Sequence, residues 1–217
     1  MYFVMMLLAL SGGFAGAGII LYKGKVSIKH IICISALNYG LIIYCALLGN
    51  ILIHGLGTWG LNSSGASCGL LLGILFYAYM YPQYGSVIMK AYTLMLPYMY
   101  GVGKIGCAFG GCCGGRPYSG PLHIHAAKGD VFPIQVTEAT IFLILFVISI
   151  LFYLKKEFEP IKFACIYASC KILLDFLRDT HTNSVITTNQ IICSFVIIAL
   201  IFVRKWCKAR TEAGFGH

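Results

Sequence analysis

Hydrophobic positions fall in long runs separated by short polar or glycine-rich stretches. Seven such runs can be read along the chain, at residues 2–22, 31–53, 66–84, 87–109, 134–154, 161–177 and 190–203. Several exceed the ~18 apolar residues that suggest a spanning helix. The pattern predicts an all-α integral membrane protein with about seven transmembrane helices, folded as a single polytopic membrane domain over residues 1–217. Pro82 and Pro97 are expected to bend or end helices. The last run is short for a span, and its flanking Lys and Arg would have to snorkel to the interface. The first run lacks a basic leader region and an A-x-A-like cleavage site, so it reads as a retained helix.

Composition agrees with the pattern. The chain is 59% hydrophobic and 11% charged, where a soluble domain carries about 25% charge. The positive charges set an orientation. Lys23, Lys25 and Lys29 follow the first run, Lys155, Lys156 and Lys162 the fifth, and Arg204, Lys205, Lys208 and Arg210 the seventh. With seven spans this places the N-terminus outside and the C-terminus in the cytoplasm. The net charge of +9 then reflects anchoring against anionic lipid. It does not suggest nucleic-acid binding, because the basic residues are scattered over short membrane loops.

Four cations lie outside those flanks: Lys104, Arg116, Lys171 and Arg178. Lys171, Asp175 and Arg178 share one helical face by their spacing. A charge within a span costs roughly 2.5–3.5 kcal/mol on insertion scales and normally faces a partner or a wet cavity. One reading is a local Lys171–Asp175 pair, with Arg178 and Asp179 capping the helix. The other is a cationic pocket for an anionic headgroup, with Glu138 balancing one charge. Residues 101–138 carry the densest signal: Gly101, Gly103, Gly106, Gly110, Gly111, Gly114 and Gly115 lie among Lys104, Arg116 and a cysteine cluster. Such glycines permit close helix contact or unwound backbone, and freed N–H groups beside cations suit a phosphate.

The chain has ten cysteines. Most lie in or at the ends of apolar runs, where a thiol behaves as a small hydrophobe. Cys107, Cys112 and Cys113 differ, because they precede His123 and His125 on an outward loop. Cys and His together can hold zinc or copper(I), but this spacing fits no standard zinc motif, so no metal or other cofactor is assigned. A disulfide from Cys107 to Cys112 or Cys113, and a reactive thiol at Cys112 or Cys113, are further readings.

These residues carry a resemblance to the prolipoprotein diacylglyceryl transferase family. The family signature, roughly Gly-Arg-x-Gly-Asn-Phe-x-Asn-Gly-Glu-x-x-Gly-Arg, appears as Gly103-Lys104-Ile105-Gly106-Cys107-Ala108-Phe109-Gly110-Gly111-Cys112-Cys113-Gly114-Gly115-Arg116. Gly103, Gly106, Gly111, Gly115 and Arg116 match, and the whole is similar to a Gly-Cys-Cys variant of the signature. The family's His-Pro-x-Gln-x-Tyr-Glu reads Phe132-Pro133-Ile134-Gln135-Val136-Thr137-Glu138. Its Arg-x-x-x-Glu-Phe-x-Arg reads Lys171-Ile172-Leu173-Leu174-Asp175-Phe176-Leu177-Arg178. Asn189-Gln190 resembles the family's Gly-Gln, and Tyr2 matches the tyrosine heading the first core helix. The family's His-Gly-Gly aligns with Ser64-Gly65-Ala66, so its histidine is absent, and His54 becomes the candidate base.

The resemblance implies a multi-pass enzyme of the bacterial inner membrane, active in lipoprotein biosynthesis. It would move a diacylglyceryl group from phosphatidylglycerol, or another anionic phospholipid, to a cysteine thiol of a peptide or small-molecule acceptor. Lys104, Arg116, Glu138, Lys171, Arg178 and Cys112 would carry the catalysis. Gly103, Gly106, Gly111, Gly115, Gln135, Asp175 and Tyr2 would hold the lipid phosphate. Two other functions fit the same residues: a membrane thiol or metal protein using Cys107, Cys112 and Cys113, and a non-catalytic lipid-binding relative.

Overall fold

A computed structural model describes residues 1–56, 60–112, 114–126, 129–182 and 185–212. The described residues form seven α-helices, one 3-10 turn and one small β-hairpin. In chain order these are α1 (Tyr2–Lys23), α2 (Ile28–His54), α3 (Ser63–Met80), α4 (Pro82–Gly110), β1 (Ile124–Ala126), β2 (Gly129–Val131), α5 (Ile134–Leu154), α6 (Pro160–Asp175), the 3-10 turn Asp179–Thr182 and α7 (Thr188–Glu212). Helices α1, α2, α3 and α5 are long and apolar enough to cross a membrane, and α7 carries a shorter apolar stretch, Thr188–Phe202. Apolar side chains such as Phe3, Leu7, Val147 and Phe195 are exposed on these helices. That suits a lipid solvent and not water.

The helices follow the hydrophobic runs, with corrections at the prolines. The third helix stops at Met80, not at residue 84. Pro82 disfavours helical backbone at Tyr81, which sits at φ −130° and ψ 72°. Pro82 then opens α4 from its first turn, five residues before the run suggested, where its missing N–H leaves no bond unmade. Pro97 does not end a helix. It lies inside α4 and is fully buried, and the α1 and α5 helices pack along α4 and hold it continuous.

Small residues set the helix contacts. On α3, Gly65, Gly69 and Gly73 form one stripe at four-residue spacing. A Cβ at Gly65 or Gly69 would lie 2.2 Å from the carbonyl oxygens of Cys45 or Leu41 on α2. Gly12, Gly13 and Gly16 likewise admit Tyr98, Met99 and Met95 of α4 against α1. This is the close backbone approach that membrane helices use. Gly69→Leu is therefore expected to destabilise the protein by about 1–3 kcal/mol, read as a lower Tm in detergent. Gly40 has open space around its Cα, and the same change there should leave Tm in place.

Two apolar cores lie between these layers. Leu21, Ile34, Ile88 and Tyr92 centre one, among α1, α2 and α4. Ile134, Phe142, Phe163 and Tyr167 centre the other, between α5 and α6. Together they fix α4, α5 and α6 side by side, and all the charges buried at the site project from these helices or their ends.

Candidate functional site

The loop after α4 is built by backbone geometry. Gly111 ends the helix in the left-handed region, at φ +64°, with its N–H bonded to the Cys107 carbonyl. Only a residue without a Cβ takes this conformation without strain. Gln135 Nε2 donates to the Cys112 carbonyl at 2.8 Å and ties the loop to the start of α5. The chain then runs beside the segment after α6. Arg116 N–H donates to Leu177 O at 3.0 Å, Phe132 N–H to Arg116 O at 3.0 Å, and Asp179 N–H to Gly114 O at 3.2 Å. Gly115 is required in this crossing, since a Cβ would stand 2.0 Å from the Phe132 carbonyl oxygen.

Beneath this crossing lies a charge cluster centred on Glu138, which is fully buried. Arg178 Nη2 donates to both Glu138 oxygens, each at 2.8 Å. Lys171 Nζ is 3.0 Å from Oε1 and Lys104 Nζ 3.0 Å from Oε2. Tyr100 Oη donates to Oε1 at 3.1 Å and accepts a short bond from Lys171. The two lysine ammonium groups also lie 5.3 and 4.9 Å from the Tyr100 ring centroid. Removing each charge from water costs several kcal/mol, so the cluster is tolerable only because every charge has partners.

Asp175 forms a second tier. Its Oδ1 is 3.3 Å from Arg178 Nε, and its Oδ2 is 3.7 Å from His181 Nε2. The Thr187 hydroxyl donates a short bond to the same carboxylate, and Asn189 Nδ2 donates to Oδ1 at 3.5 Å. Thr187 and Gln190 bond each other's backbone N–H reciprocally at 3.2 Å, which is a capping box at the head of α7. The spacing-based pair Lys171–Asp175 does not form among the described contacts. Lys171 turns instead to Glu138 and Tyr100, because a carboxylate on the neighbouring helix lies closer to its ammonium than one on its own helix.

Two cavities meet at Tyr100. One, with about 590 Å³ of empty space, is bounded by Ser64, Cys68, Phe142, Tyr167, Lys171 and Cys193. The other, with about 900 Å³, is bounded by Tyr2, Met6, Asn62, Met99, Lys104 and Cys107. Ser63, Ser67, Leu96 and Tyr100 line both. The walls are mostly apolar, with one lysine in the lining of each cavity, Lys171 in the first and Lys104 in the second.

The structure thus brings Lys104, Glu138, Lys171, Arg178 and Asp175 together. Gly103 and Tyr2 line the Lys104 cavity, and Tyr2 packs on Gly106 and Gly110. Arg116 is exposed, and its backbone, not its guanidinium, makes the bonds given above. The Cys112 thiol is directed to the Cys107 carbonyl at 3.7 Å. Cys113 and the His54 side chain lie outside the described residues. Ser64, at the position of the family histidine, donates to Asn189 Oδ1 at 2.7 Å. Sequence reasoning missed Tyr100. Its signal was present, one turn before Lys104 on the same helical face.

Fold and site together define a polytopic membrane protein in which apolar cavities end at a buried, net cationic cluster. The profile of the prolipoprotein diacylglyceryl transferase family matches residues 1–206, and the chain belongs to that family. It is 28% identical over 151 residues to the phosphatidylglycerol–prolipoprotein diacylglyceryl transferase of Clostridium tetani (strain Massachusetts / E88). That match covers 62% of this chain and 61% of the relative's length.

Proposed function

We propose that this protein is a membrane transferase that moves a diacylglyceryl group from phosphatidylglycerol to a cysteine thiol of a peptide or small-molecule acceptor. The family membership supports the reading, and one observation carries it. Lys104, Lys171 and Arg178 present three positive charges against the two carboxylates Glu138 and Asp175. The surplus is one positive charge, which a phosphodiester monoanion would neutralise. The apolar cavities beside it suit acyl chains.

Lys104 and Lys171 reach the cavities, so they, with the Tyr100 hydroxyl, are the groups that would meet the phosphate. Arg178 lies behind Glu138 and acts by holding the carboxylate that positions both lysines. The acceptor sulfur forms a bond to the terminal glyceryl carbon as the C–O bond to phosphate breaks. The electron pair leaves on glycerol phosphate, which gains a second negative charge and can take up the thiol proton. Donors fixed in a dry site stabilise that developing charge far better than water does. We place the N-terminus and the site at the outer face and the Lys- and Arg-rich helix ends in the cytoplasm, in a bacterial inner membrane crossed seven times.

The test is transfer to a lipobox peptide in liposomes of defined composition. Phosphatidylglycerol should yield a thioether-linked diacylglyceryl peptide, and phosphatidylcholine alone should yield none. A folded protein that retains phosphatidylglycerol yet forms no thioether would contradict the transferase reading.

A further inference from the structure

We propose that His123, His125 and Asp130 form a binding site for a divalent transition-metal ion, best matched by Zn²⁺, on the hairpin that joins α4 to α5. The proposed transferase chemistry makes no use of these residues; His125 and Asp130 lie on the β1–β2 hairpin and His123 immediately before it.

The hairpin register places them together. His125 lies on β1, and His123 stands two residues earlier, immediately before that strand, with the two rings 4.7 Å apart between centroids. Asp130 pairs directly with His125 across the antiparallel ladder. The three ligand atoms all lie within 4.8 Å of one another. Asp130 Oδ2 is 3.6 Å from His123 Nε2, and Oδ1 is 2.6 Å from His125 Nδ1. Two ligand atoms on one tetrahedral Zn²⁺ stand about 3.3 Å apart, given metal–ligand distances near 2.0–2.1 Å. The two histidine–carboxylate separations bracket that value, so an ion enters with small adjustments of partly exposed side chains.

A second observation points the same way. His123 Nδ1 is 3.0 Å from the Gly120 carbonyl oxygen. A carbonyl only accepts, so Nδ1 donates this bond, and Nε2 is the ring nitrogen that faces Asp130. Metal-bound histidines are characteristically oriented by such a bond from the other ring nitrogen. Asp130 is also fixed from behind, since its carbonyl accepts from Tyr118 N–H at 2.9 Å. Two imidazoles and a carboxylate with an open fourth position suit Zn²⁺, and Ni²⁺ or Co²⁺ would bind in the same place. The bound ion would clamp the hairpin just above the Arg116–Phe132 crossing.

The experiment uses the full chain in detergent, stripped with chelator and titrated with Zn²⁺ against a chromophoric competitor. Wild type should show a stoichiometric site that the His123→Ala/His125→Ala variant lacks, with affinity lowered at least about 100-fold. Thermal unfolding without metal should match between the two and so establish that the variant is folded. Co²⁺ should give a spectrum of nitrogen and oxygen ligands without a thiolate charge-transfer band. Equal zinc binding by both proteins, no stoichiometric site in wild type, or a thiolate band that survives in the variant would each overturn the assignment.

Discussion

Glu138→Gln is expected to destabilise the protein by about 3–5 kcal/mol, the cost of breaking a buried ionic network by removing one partner. Glutamine is nearly isosteric, so the packing around the side chain changes little and the effect is electrostatic. It leaves Lys104, Lys171 and Arg178 converging on a neutral amide within a site where all of them are buried. Three like charges with one remaining carboxylate, Asp175, must then separate, take up water or lose a proton. The readout is thermal unfolding of the detergent-solubilised protein, with a large drop in Tm. Adding Lys104→Met to Glu138→Gln removes one of the stranded charges and should recover part of the loss. An unchanged Tm in the single variant would show that Glu138 does not hold the cluster.

Lys171→Met should leave a folded protein that has lost turnover. Met retains the length of the stem and fills the cavity wall, while Lys104 and Arg178 still neutralise Glu138. The lost group is a donor that faces the cavity and touches Tyr100. Removing one preorganised donor to a developing oxyanion lowers kcat by about 100–1000-fold, and a comparable fall in thioether formation is expected. Arg204→Ala serves as control: Arg204 is exposed and paired with Glu159 far along the chain from the site, and this change should leave the rate alone. A Lys171→Met variant with wild-type turnover would remove Lys171 from the reaction.

The hydrophobic pattern located every described helix, because burial in lipid demands long apolar runs whatever the tertiary contacts. It misplaced the ends near Pro82 and left open whether Pro97 ends a helix, since a run of hydropathy does not say whether neighbouring helices will keep the helix continuous through a proline. At the site, Lys104, Glu138, Lys171, Arg178 and Asp175 were all legible as charges with no topological role. Their pairing was not. Spacing along α6 suggested Lys171 with Asp175, but the relative rotation of α4, α5 and α6 decides which carboxylate faces which cation. Arg116 read as a member of the cluster from its place in the glycine-rich segment. The Gly115–Arg178 backbone bridge instead puts its backbone in the crossing and its side chain at the surface. Cross-strand proximity of Asp130 to the two histidines was invisible for the same reason, as register is set by the turn and not by local composition.

The most direct measurement of where the lipid phosphate goes is photocrosslinking with a phosphatidylglycerol that carries its photoreactive group in the headgroup. The account predicts labelled peptides that contain the cavity walls around Tyr100, Lys104 and Ser64, with competition by unlabelled phosphatidylglycerol. Labelling confined to the lipid-facing sides of α1 and α5, without enrichment at those walls, would contradict it.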